Sequence, residues 1–151
     1  MSSHGDKLLI GGGISSLAIA VLHIAIIIIG IPAYRSFGGV GDDFANMLEA
    51  GSILPTLLTS SITLVFAIFG CYALSGTGAI RRLPLLRTGL IVIASIYLLR
   101  GLMDIPFWLT LTPSTFPKAF KGVAFSVTSL VIGLFYASGT AMNWRRLNSS
   151  E

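Results

Sequence analysis

Residues 8–34 read LLIGGGISSLAIAVLHIAIIIIGIPAY, with no Lys, Arg, Asp or Glu between Lys7 and Arg35. About 20 apolar residues carry an α-helix across a hydrocarbon core of about 30 Å, so this stretch alone suffices for one span. Its apolar run exceeds the roughly 7–15 residues of a cleaved signal-peptide core, and a retained helix is expected. Working outward, Glu49 and Arg81 enclose a second charge-free window and Lys121 and Arg145 enclose another near the end of the chain. Between these lies a window that begins after Arg87 and is interrupted by Arg100 and Asp104.

The pattern predicts an all-α polytopic membrane protein. It is a single domain over residues 1–151, a four-transmembrane-helix bundle with helices near 8–31, 53–75, 83–106 and 119–142. A helix satisfies its backbone hydrogen bonds within one segment, as lipid demands; β-barrel spans would show shorter alternating segments, and none appears. Pro84 and Pro55 fall where helices start, positions at which a missing N–H costs nothing. Gly76-Thr77-Gly78 is a short link and makes the second and third helices an antiparallel hairpin. Small residues at i, i+4 spacing mark the expected contact faces: Gly12, Ser16 and Ala20; Thr59, Thr63, Ala67, Cys71 and Ser75; Ser129, Gly133, Ala137 and Ala141.

Composition agrees. Hydrophobic residues make up 54% of the 151 residues and charged ones 11%, against about 25% in soluble domains, and the mean hydropathy is +0.86. The net charge of +4 sits at the edges of apolar runs, which writes membrane topology and not a nucleic-acid face. Lys7, Arg81, Arg82, Arg87, Arg145 and Arg146 fall on one side. Arg35, Lys118 and Lys121 fall on the other, with Asp42, Asp43 and Glu49. The positive-inside rule then places both termini in the cytoplasm. An anionic-lipid or phosphate site is a sharper reading of the paired arginines. The lone Cys71 excludes an intramolecular disulfide or a cysteine metal cluster, and His4 and His23 are too far apart in sequence to pair as ligands. No metal and no cofactor are expected.

Ionisable groups within a span are costly, about 2.5–3.5 kcal/mol at the bilayer centre. At about 1.5 Å per residue, His23 lies roughly 22 Å along the first helix and Arg100 roughly 24 Å along the third. Both fall in the outer half. Asp104 follows Arg100 by one turn, and Tyr97 precedes it by one. Glu49 is expected to open the second helix on the same side, near the positive end of its dipole, where Tyr34 and Arg35 follow the first helix. His23, Tyr34, Arg35, Glu49, Tyr97, Arg100 and Asp104 are therefore the candidate ligand-binding residues of a polar outer-side cavity. The alternative is an interhelical network in which Arg100 snorkels to the headgroups and Asp104 neutralises it. Loop one adds Gly38-Gly39-Val40-Gly41, a flexible stretch, and then a short helix from Asp43 to Glu49 with Asp42 as N-cap. Phe44, Met47 and Leu48 share a face that suits the membrane surface.

Several stretches resemble a group of small bacterial inner-membrane proteins with no assigned activity: Ala33-Tyr34-Arg35 with Phe37-Gly38, Glu49-Ala50-Gly51-Ser52 with Pro55, Tyr72-Ala73-Leu74-Ser75-Gly76, Arg82-Leu83-Pro84-Leu85-Leu86-Arg87 and Tyr97-Leu98-Leu99-Arg100-Gly101-Leu102. The similarity covers about half the chain, residues 22–102. It implies a four-helix protein of the bacterial inner membrane and brings no catalytic residue. Three function classes follow. The first is a structural, interaction or accessory subunit, whose partners are membrane lipids, a second copy or another membrane protein. The second is a small transporter or channel component. The third is a membrane-embedded enzyme acting on a lipid or quinone, for which His23 with Asp104 or Glu49 is the one acid–base set. No phosphate loop or nucleophile motif supports enzymatic activity, and no nucleic-acid partner is expected.

Overall fold

The computed structural model describes residues 3–37, 40–105, 109 and 116–148, without the side chains of 116–119 and 148. Among the described residues there are seven helices and no strands: α1 (His4–Ile29), α2 (Ile31–Phe37), α3 (Val40–Glu49), α4 (Leu54–Thr77), α5 (Leu86–Leu102), α6 (Phe116–Met142) and α7 (Trp144–Asn148). Three stretches are long and apolar enough to cross a membrane: His4–Ile29, Leu54–Thr77 and Phe120–Met142. At most 28% of the best apolar window of each is buried within the chain. Ile28, Leu64 and Leu134 stand open on the surface, as side chains that meet lipid do. The chain is a helical membrane protein.

Helix boundaries depart from expectation where polar local chemistry intervenes. α1 begins at His4 and not at residue 8 because Ser3 and Asp6 form a reciprocal capping box. Ser3 N–H donates to Asp6 Oδ2 at 2.9 Å, and Asp6 N–H to Ser3 Oγ at 3.1 Å. It ends at Ile29 because Gly30 takes a left-handed φ of 76°, and the chain resumes at once as α2, with Pro32 in its first turn. α4 closes in a Schellman turn at Gly78 (φ 80°), with Ala79 N–H on Leu74 O at 3.1 Å. α5 starts at Leu86 and not at residue 83, and Pro84 stays outside it. Leu85 is left-handed (φ 50°), and the preceding loop is tied to α4. Ser75 Oγ accepts Leu83 N–H at 2.9 Å and donates to Arg81 O, and Tyr72 OH donates to Pro84 O. α5 closes at Leu102; the remainder of the expected span, to Pro106, lies partly outside the described residues.

The residues form two compact units, Met1–Ser15 with Phe69–Glu151, and Ser16–Ile68. In the first, Leu9, Leu90, Tyr136 and Leu147 are almost fully enclosed. α4 and α5 run antiparallel, since Phe69 meets Tyr97 and Gly76 approaches Leu90. α5 and α6 pack along their lengths through glycines. A Cβ on Gly101 would strike Leu130, and one on Gly133 would lie 2.9 Å from the backbone nitrogen of Leu98. In the second unit α2 and α3 pair over a cluster of Ile26, Ala33, Tyr34 and Ala45. Phe44 and Leu48 turn into that cluster, so these two apolar side chains of α3 pack against α2. Gly38 and Gly39 lie outside the described residues.

Candidate functional site

The seven candidate residues divide between the units. In Ser16–Ile68, α2 carries Tyr34 and Arg35 on adjacent positions that diverge. Tyr34 is buried, and its hydroxyl donates to Thr59 Oγ1 of α4 at 2.7 Å. Arg35 points outward and bonds Glu49 Oε1 at 2.7 Å and Asn46 Oδ1 at 3.2 Å. The Glu49 carboxylate beside it holds the Arg35 guanidinium protonated above its ordinary range. Glu49 closes α3 and does not open α4, which starts at Leu54. It thus sits at the negative end of a helix dipole, and Arg35 is what offsets that placement. His23 is apart from these: its Nδ1 lies 2.8 Å from Ile19 O of its own helix, and its ring tilts against Phe66 at 5.4 Å.

In the other unit α5 presents Arg100, and Asp104 stands just past its end. Arg100 Nη1 donates to Asp104 Oδ2 at 2.9 Å and to Ser126 Oγ at 3.2 Å. Ser126, fully buried on α6, donates to the same carboxylate. The expected i, i+4 pair is present, with a hydroxyl partner that sequence reading passed over. Tyr97 is buried in an aromatic stack, 5.8 Å from both Phe69 and Tyr136.

A further polar network lies outside the seven candidate residues. Asp6, 7% exposed, accepts from Arg146 Nη2 at 2.5 Å and from Asn143 Nδ2 at 3.3 Å. Arg146 Nη2 also reaches Gly76 O at 2.8 Å, and Arg82 Nη2 donates to Leu147 O at 2.7 Å. The Arg87 guanidinium lies over the Trp144 ring at 4.1 Å, a cation–π contact. These bonds tie the start of α1, the end of α4, the loop before α5, and α7 into one basic end. Next to them lies a cavity of about 310 Å³, lined by the 75–78 turn, Ile80, Arg82, Leu86, Arg146 and Leu147. Two signals in the sequence pointed here: the Ser-x-x-Asp spacing of Ser3 and Asp6, and the two arginine pairs.

Among the described residues no three of His, Cys, Asp or Glu gather as metal ligands. No protein-family model, curated protein or solved structure matches the chain.

Proposed function

We infer that the protein is a four-span protein of the bacterial inner membrane with both termini in the cytoplasm, serving as a structural or accessory subunit and not as a catalyst. The observation that carries this reading is how its polar groups are used. The charges and hydroxyls in or beside the apolar helices close on one another within the chain, as Arg100–Asp104–Ser126 and Tyr34–Thr59. A transport path or an acid–base pair needs such groups presented to a ligand. Arg35–Glu49 and Arg100–Asp104 are likewise neutralised each within its own unit, which favours a structural use of these charges over ligand binding.

The fourth span in this reading is α5. Its 17 residues sit at the short end of the roughly 17–25 that cross a bilayer. The orientation draws its support from Lys7, Arg81, Arg82, Arg87, Arg145 and Arg146. Reporter fusions at each terminus of the full chain test the topology: the same cytoplasmic signal at both ends is expected, and opposite signals would leave three spans and sink it. Reconstitution alone in liposomes tests the role. No ion flux and no lipid turnover is the expected result, and either activity would overturn the structural assignment.

A further inference from the structure

The cavity at the basic end combines features that belong to a phosphate site at a membrane face. Two guanidiniums line it, Arg82 and Arg146, each held in place by a bond to a backbone carbonyl, at Leu147 O and Gly76 O. A guanidinium offers five N–H donors in a fixed fork matched to phosphate oxygens, and the bond from Arg82 to Leu147 O uses one of its terminal nitrogens. The Asp6 carboxylate reaches Arg146 at 2.5 Å and offsets part of that charge, so Arg82 carries the larger share of the positive field. Lys7, Arg81, Arg87 and Arg145 are sequence neighbours of the same network, and Asp6 is its one acid among the described residues. The other wall is apolar: Leu86 and Leu147 are buried, and Ile80, 40% exposed, stands at the edge. Leu85, next to Leu86, is 73% exposed. A ligand that suits both walls has a phosphate at one end and hydrocarbon at the other. The volume lies at the lower end of small-ligand pockets, which run from about 300 Å³, and fits a headgroup with its acyl chains outside.

We propose that this cavity binds the phosphate of an anionic phospholipid headgroup, with Arg82 and Arg146 as the phosphate ligands and Ile80 and Leu86 against the start of the lipid's apolar part. The inference rests on the reading of the chain as a membrane protein. Its test does not depend on which way the chain is inserted, so a failed topology and a failed site remain distinguishable.

The test is native mass spectrometry of the full chain, exchanged in detergent with phosphatidylglycerol or with zwitterionic phosphatidylcholine. The expected result is retained phosphatidylglycerol in preference to phosphatidylcholine. Arg82→Gln removes the charge and the guanidinium fork, and weakens retention about tenfold, the range of one hydrogen bond to a charged group. Arg145→Gln loses the same net charge away from the cavity and leaves retention within about twofold, as a screened exposed charge does. Should Arg82→Gln fail to fold, Ile80→Trp fills the cavity edge without touching an ion pair and lowers retention likewise. A second arm adds millimolar inorganic phosphate. Displacement of the lipid from the wild-type chain would assign the same ligands to a soluble phosphate compound, whereas persistence of the lipid assigns the headgroup. Equal loss in Arg82→Gln and Arg145→Gln, unchanged retention in Ile80→Trp, or no preference for phosphatidylglycerol would overturn the proposal.

Discussion

At the scale of single residues, the polar side chains matter through the partners they hold. Arg100 and Asp104 are about half and one-third exposed, so their attraction is partly screened, and a coupling of about 0.5–1 kcal/mol is expected. Arg100→Leu and Asp104→Leu each destabilise the protein in detergent melts, and the double substitution costs less than the two summed. Strict additivity would show that the pair is not an energetic unit. Ser126→Ala removes the buried hydroxyl from the same carboxylate and is expected to cost about 1 kcal/mol. Thr140 is the opposite case: its hydroxyl is buried with no hydrogen-bond partner among the described residues. Thr140→Val removes an uncompensated polar group at nearly constant shape and is expected to leave stability unchanged or raise it by about 1 kcal/mol. A clear loss of stability would mean that the hydroxyl does have a partner.

At the scale of elements, the glycines decide how closely helices approach. Lipid supplies no hydrophobic drive between spans, so close backbone contact carries much of the association. Gly133→Ala would push a methyl against Leu98, including its backbone nitrogen, and α5 cannot give way there without moving as a whole. A loss of about 1–3 kcal/mol is expected, while Gly122→Ala, with open space around it, changes stability little. Comparable melts for the two variants would refute close α5–α6 packing. The small-residue stripes show how far spacing alone reaches. Gly12, Ser16 and Ala20 are all buried, as expected, but Cys71 and Ala141 are exposed. A strict i+4 series drifts about 40° around the helix at each step. Such a series therefore wanders off a straight contact face, and the buried positions of α6, Ser126, Ile132, Gly133, Tyr136, Gly139 and Thr140, are related by mixed steps of three, four and seven instead. Tyr34→Phe probes the corresponding contact of α2 on α4 through Thr59 and is expected to cost about 1 kcal/mol.

At the scale of the molecule, long charge-free windows determined on their own that the chain is helical and membrane-embedded. Nothing in hydrocarbon can satisfy a backbone except a neighbour in the same helix or a closed barrel, so that conclusion needs no tertiary contact. The pairing of Arg100 with Asp104 was legible as well, because the two residues stand four apart in sequence, about one turn, and their bond needs no distant segment. Local capping was legible in principle, in the Ser3-x-x-Asp6 spacing that moves the start of α1. What only the tertiary structure decided is which polar groups meet across long sequence separations. Ser126 closes on Asp104, Asn143 and Arg146 close on Asp6, and Arg82 closes on Leu147 O. Tyr97 belongs to an aromatic stack, and Glu49 belongs to α3. A hydroxyl, a tyrosine ring or an arginine reads alike in sequence whether it faces a partner, lipid or a cavity. Its direction is set by helix rotation and crossing, and these depend on contacts between segments that no window of the sequence contains.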